Sequence, residues 1–197
     1  LKQLPGFAPA QVEWEGRVLK RRVDRATTIA VGSRHDHLEL EQSRELLLDA
    51  AIAAGQFDRA EPMLESVIQT LTEKRRMKDV VGFYHLRGKL AEQRGDSDGA
   101  LTAFEAARKI DATYVPNLLS LGQAYYNRQD WDAALKIFQT LLLHQMSIKD
   151  KRDKVNMYYY LGQVRLQLGD ARRAKDMFNR ALGVDPTHAR FNALLYC

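Results

Sequence analysis

Apolar residues recur along this chain at intervals of three and four, the spacing that gathers them on one face of an α-helix. From about residue 41 the helical segments also repeat one another. One copy runs Asn117-Leu118-Leu119-Ser120-Leu121-Gly122-Gln123-Ala124-Tyr125, then Asp130-Trp131-Asp132-Ala133-Ala134, then Phe138. A second reads Met157-Tyr158-Tyr159-Tyr160-Leu161-Gly162-Gln163, then Gly169-Asp170 and Ala174, then Phe178, Ala181 and Asp185-Pro186. Tyr84, Gly88, Ala91, Gly95-Asp96, Ala100, Phe104 and Ala107 hold the same mutual spacings, and so do Leu47, Ala51, Gly55, Asp58, Ala60, Leu64 and Val67, with Leu48 where the other copies have glycine.

The residue types explain the recurrence. In the three copies that have the glycine, a large apolar residue stands four before it: Tyr84, Leu118 and Tyr158. The bare glycine lets a neighbouring helix approach, and an alanine with a bulky partner four later marks a second helix. Each copy is therefore a helix pair. Gly55, Gly95 and Gly169 suit the left-handed position after a helix end, Asp58, Asp98 and Asp132 suit N-caps, and Pro62 suits a first turn. The pattern predicts pairs at about 41–73, 81–111, 115–145 and 155–184 and no sheet. Gly88 to Gly122 is a step of 34 residues, while Gly55 to Gly95 and Gly122 to Gly162 are steps of 40, so two intervals carry six-residue insertions. Stacking is what lets such pairs bury the faces they cannot cover alone.

Composition agrees with an all-α class. Five prolines and 12 glycines in 197 residues punctuate too rarely for a many-stranded sandwich. The single cysteine, Cys197, has no disulfide partner within the chain, so the fold rests on its apolar core. No run approaches the ~18 apolar residues of a membrane span. The expectation is a soluble chain whose compartment the sequence does not identify, with the cytoplasm favoured. Leu at position 1 and the apolar run Phe191 to Leu195 at the other end read as an excised piece of a longer protein, and a terminal helix such as 189–197 is open to self-association.

At the quoted glycine, alanine, tyrosine and phenylalanine positions the chain resembles the tetratricopeptide repeat family, a 34-residue helix-turn-helix with the signature Trp-x2-Leu-Gly-x2-Tyr, then Ala-x3-Phe, then Pro. Gly122, Tyr125, Ala134 and Phe138 fit one copy; Leu161-Gly162, Ala174, Phe178, Ala181 and Pro186 fit another. Arg87 departs from the family's leucine. The resemblance implies a right-handed α-solenoid of antiparallel helix pairs, with repeats at 41–74, 81–114, 115–148 and 155–188. Residues 1–40 would supply a capping helix over about 10–31, with a strand through Thr27 to Val31 as the alternative. Residues 189–197 would open a further pair or form a truncated cap.

Catalytic chemistry finds no foothold in the sequence. None of the GxSxG, HExxH, P-loop or GxGxxG patterns occurs. His35-Asp36-His37 lacks a third ligand and reads as a solvated linker. No metal and no cofactor is expected, and the chain is read as a non-enzyme. What remains is binding. In the family the first helices line a concave groove, and its register implies a partner-binding strip of Lys89, Gln93, Gln123, Tyr126, Asn127, Tyr159, Gln163 and Gln167. Tyr126 and Tyr159 are expected there as exposed anchors, with the amides positioned to bond the backbone of a partner's peptide or helix. The carboxylate clamp of the chaperone-tail adaptors is not matched, since its places hold Glu45, Asp49, Pro116, Ser120, Asn156 and Tyr160.

Charge adds one more candidate. The net charge is +5, and each insertion is basic: Lys74, Arg75, Arg76 and Lys78 in one, Lys149, Lys151, Arg152 and Lys154 in the other. Arg17, Lys20, Arg21, Arg22 and Arg25 form a third cluster. A stacked array would set the two insertions along one basic edge, a possible contact for nucleic acid or an anionic surface. The reading is thus an interaction scaffold or adaptor that captures a partner protein in its groove, with the basic edge or a regulatory arm of a larger enzyme as alternatives.

Overall fold

The computed structural model describes residues 34–186, and among these it contains helices and no strand. In order they are α1 (Arg34–Ala53), α2 (Phe57–Glu73), α3 (Met77–Gln93), α4 (Ser97–Ile110), α5 (Val115–Asn127), α6 (Trp131–Leu143), a 3-10 turn (Gln145–Ser147), α7 (Lys151–Gln167) and α8 (Ala171–Val184). The chain divides into two compact units, residues 1–47 and 48–197. Of the first unit, only the opening of α1 is described. The expected capping helix, the strand alternative, the cluster Arg17 to Arg25, Cys197 and segment 189–197 lie outside the described residues. His35-Asp36-His37 falls in the first turn of α1 and not in a linker.

The helices are stopped by a shared device. At five helix ends the residue after the C-cap has positive φ: Gly55 (71°), Gly95 (81°) and Gly169 (79°), but also Arg75 (54°) and Gln129 (62°). In each, two backbone N–H groups turn back onto the last turn, as when Gln129 N donates to Tyr126 O at 2.9 Å and Asp130 N to Tyr125 O at 3.0 Å. This pair of hydrogen bonds satisfies carbonyls a helix end would leave orphaned. A side chain in that left-handed region costs about 1 kcal/mol or more. Gln129→Gly is therefore expected to stabilise the protein by roughly 1 kcal/mol, raising the melting temperature by about 2–4 °C. An unchanged or lower melting temperature would contradict this account of the turn.

The second helices α2, α4 and α6 each start two residues sooner than expected. The N-caps are Asp96, Asp130 and Asp170, whose carboxylates accept from the N–H of Gly99, Ala133 and Arg173, and Gln56 in α2. Asp58, Asp98 and Asp132 occupy the second helical position instead, where their charge still meets the positive end of the helix. Pro62 consequently sits in the second turn of α2, not the first, and it forgoes a helical hydrogen bond there.

The insertions are corrected too. They are not loops. α3 and α7 have 17 residues each against 13 in α5, so they begin at Met77 and Lys151, four residues before the expected 81 and 155. α2, at 17 residues, absorbs more of the first insertion, and the 3-10 turn with its flanks absorbs more of the second.

Packing repeats along the array. A Cβ added to Gly88, Gly122 or Gly162 would lie 2.2, 2.6 or 2.4 Å from the ring of Phe104, Phe138 or Phe178, sixteen residues on in every case. The rings fill the space the glycines leave, and all three are at most 1% exposed. In the first pair the same two places hold Leu48 and Leu64, both buried, which trades the small and large partners for two of middle size. Ala60, Ala100, Ala134 and Ala174 keep the paired helices close. Two apolar clusters result within residues 48–186, one spanning α1 to α3 and one spanning α4 to α8.

Candidate functional site

First helices α3, α5 and α7 touch in succession, which sets their outward positions beside one another. A direct contact calibrates the register. Lys89, one after Gly88, pairs through its ammonium with the carboxylate of Asp49, one after Leu48 and forty residues earlier. Gln123 and Gln163 hold the same register in α5 and α7, again forty apart, and both are half-buried.

Next to the glutamines lies an aromatic cluster. Tyr126 meets Trp131 edge-on at 5.3 Å and Tyr160 edge-on at 5.3 Å; Tyr160 meets Tyr159 at 5.3 Å and stacks on Phe138 at 5.8 Å with the rings 2° from parallel. Tyr159 continues to Phe178 at 6.3 Å. Burial, and to a lesser degree the nearby Tyr159, raise the Tyr126 phenol above its ordinary pKa, so it stays a neutral donor. Its neighbour in sequence points elsewhere: the Tyr125 hydroxyl donates to Glu105 of α4 at 2.7 Å.

This arrangement revises the expected anchors. Tyr126 and Tyr159 do lie together, but they are half-buried and packed against the core cluster, not freely exposed. Trp131, which opens α6, leans over Tyr126, while Tyr160 and Phe178 pack against Tyr159. The sequence signal was present in the run Tyr158-Tyr159-Tyr160, which puts an aromatic on several faces of one helix turn. Gln93, Asn127 and Gln167 lie near the ends of α3, α5 and α7, and all three are exposed. Lys89 is committed to Asp49, so the strip divides into a charged half on α3 and an aromatic and amide half on α5 and α7.

The charged half also contains a histidine. His85, three before Gly88, is 8% exposed, while Leu119 and Tyr159 hold that register in the next two first helices. Its ring lies 5.6 Å from Phe104 and 6.0 Å from Tyr114, and its Nδ1 has no hydrogen-bond partner. Desolvation lowers its pKa to about 4, aided by Lys89 and opposed by Asp49 and Asn117. Asn117 is fully buried and donates to the Phe104 carbonyl at 2.9 Å, with its own Oδ1 unpaired. Burial also raises the Glu92 carboxyl, against the pull of Lys89.

The basic candidates are brought into helical ends. Lys74 caps α2, Arg75 takes the left-handed turn, and Arg76 precedes α3 with its Nε on Asp79 at 2.8 Å. Lys78 lies in the first turn of α3, and Lys151, Arg152 and Lys154 lie in the first turn of α7, just after Lys149. Asp79, Asp150 and Asp153 are interleaved with them, Asp150 as the N-cap of α7. The charge is therefore mixed, and weaker than the sequence count suggests. Among the described residues no group of three or more His, Cys, Asp and Glu is placed to hold a metal ion. No described helix is long and apolar enough to cross a membrane.

Comparisons with known proteins agree with this geometry. Two family models described as tetratricopeptide repeat match residues 46–115 and 114–187. Among curated proteins none matches the sequence. Among solved structures, BtubC (BKLC) from P. vanneervenii is 20% identical with a TM-score of 0.75, over 93% of this chain and 81% of that one. MamA is 19% identical with a TM-score of 0.62, over 75% and 80%. A thermophilic TPR protein of Thermus thermophilus, TTC0263, is 17% identical with a TM-score of 0.56, over 91% and 100%. Those identities speak for the fold alone. With the two family matches together spanning residues 46–187, the glycine and phenylalanine pairs in register and the helix pairs stacked in sequence, the chain belongs to the tetratricopeptide repeat family.

Proposed function

We propose that this protein is an interaction scaffold that captures a peptide segment or helix of a partner protein on the strip formed by α5 and α7. The family's fold is in general a protein-interaction scaffold, and its first helices are the usual contact surface. One observation carries the finer reading: half-buried Gln123 and Gln163 lie beside the edge-to-face cluster of Tyr126, Tyr159 and Tyr160. The amides supply a donor and an acceptor apiece for a partner backbone, and the ring edges supply apolar contact already held in place. Pre-packed aromatics lose little freedom on binding, which favours them as anchors.

The packing also decides which variant tests the idea. Tyr126→Ala with Tyr159→Ala would disturb the core cluster as well as the surface, so loss of binding alone would be ambiguous. Gln123→Ala with Gln163→Ala removes side chains the core does not require. Peptides selected from a displayed random library against the whole chain are expected to lose roughly tenfold or more in affinity for the double glutamine variant, with the melting temperature unchanged. Selected peptides that bind both proteins equally would remove the strip as the site.

A further inference from the structure

The strip on α5 and α7 is neutral. α5 carries no charged side chain along its 13 residues, and α7 carries none from Val155 to Val164, in a chain of which 28% is charged. The cations at its borders are committed elsewhere: Lys89 to Asp49, Arg128 to Asp98, and Arg165 to Asp170 at 3.3 Å. A charged segment laid on this surface would give up water and meet no counter-ion. The occupant it suits is uncharged.

Spacing and hydrogen-bonding capacity narrow the choice. Gln123 and Gln163 hold the same register on two first helices in contact, and helices in contact lie about 8–10 Å apart. A polyproline II segment repeats every three residues, or roughly 9 Å. A β-strand repeats its faces at roughly 6.7 Å and an α-helix turns every ~5.4 Å, neither of which matches. A helix also satisfies its own backbone and leaves amide side chains little to bond. A strand brings N–H groups that need a facing edge, and no strand is present among the described residues to supply one. A proline-rich segment brings carbonyls without N–H groups, and each glutamine amide is a donor for them at the matching interval.

The rings supply the apolar part. Tyr126 stands at 68° to Trp131 and 73° to Tyr160, and Tyr160 stands at 75° to Tyr159. Rings crossed in this way leave corners between the face of one and the edge of the next. All four are half-buried, so part of each reaches the surface. A compact apolar pyrrolidine suits such a corner, and with φ already fixed it loses little freedom on seating.

Resting on the strip as the binding surface, we propose that it holds a proline-rich segment of a partner protein in the polyproline II conformation, prolines against the aromatic corners and carbonyls three residues apart on Gln123 and Gln163. The probe is fluorescein-labelled decaproline, titrated with the whole chain and followed by anisotropy. A Gly-Ser decapeptide and a neutral alanine-rich helical peptide are the references. The parent is expected to bind decaproline roughly tenfold or more tighter than either, with little dependence on salt, because no ion pair is involved. Gln123→Ala with Gln163→Ala is expected to lose roughly tenfold or more, with the melting temperature unchanged. If decaproline fails to bind while library-selected peptides still depend on the two glutamines, the proline reading is overturned and the strip stands. Library peptides indifferent to the glutamines remove the strip itself. Decaproline bound equally by the double variant overturns the proposal, as does preference for the helical peptide, which assigns the strip to a partner helix. Self-association in sedimentation that the double variant abolishes overturns it too and assigns the strip to a second copy.

Discussion

Phe138→Ala is expected to destabilise the protein by about 3–5 kcal/mol, the largest single effect in the array. The ring has no exposed surface and fills the gap that Gly122 leaves, so truncation opens a cavity between α5 and α6 that the rest of the core cannot close. It also removes the partner on which Tyr160 stacks, which loosens the aromatic cluster beneath the proposed strip. The reciprocal change tests the same fit from the other side. Gly122→Ala would bring a methyl to 2.6 Å from Cζ of Phe138, an overlap that costs about 1–3 kcal/mol as the ring shifts. Because both variants act on one contact, the double variant is expected to cost less than the two singles added together. Urea unfolding of the four proteins measures this. A Phe138→Ala cost below about 1 kcal/mol would mean that the ring is not what holds this pair closed.

Acid is expected to destabilise the protein through His85. Its pKa is about 4 in the folded chain against an ordinary 6.5, so between those values the unfolded chain binds a proton that the folded chain refuses. Stability contributed by the neutral buried ring is complete above pH 6.5 and is lost as pH falls towards 4. A shift of this size is linked to as much as roughly 3 kcal/mol. The groups that oppose each other around the ring are Lys89, which disfavours the charged imidazole, and Asp49, which favours it. His85→Leu isolates the effect, since leucine already serves at the same register as Leu119 in α5. Carboxylates begin to titrate near pH ~4 in both proteins, so the informative quantity is the difference between their stabilities from about pH 7 to about pH 4. Parallel curves would remove His85 as the source.

How far the sequence reaches follows from the range of the interactions involved. The phase of the helices, the glycine and phenylalanine pairs sixteen residues apart and the left-handed glycines after helix ends were legible, because each follows from local backbone geometry or from contacts inside one repeat. The repeat itself was legible for the same reason. Arg75 and Gln129 were not read as helix terminators, although the paired hydrogen bonds that stop a helix form there without glycine.

Contacts between repeats were the part the sequence left open. The six-residue insertions became longer helices because the extra turn on α3 or α7 extends backbone hydrogen bonding already begun, which composition alone does not reveal. Tyr126 and Tyr159 share the outward face of Gln123 and Gln163, yet Trp131 and Tyr160 half-cover them. His85 stands at a register that is apolar in the next two copies, and it was the packing of Phe104 and Tyr114 around it that removed it from water. By itself the sequence determined that this chain is a stack of helix pairs and where each pair turns. Only the tertiary structure decided which outward residues remain available, because burial there depends on side chains that arrive from another helix, as Phe104 and Tyr114 do at His85 and Tyr160 does at Tyr126.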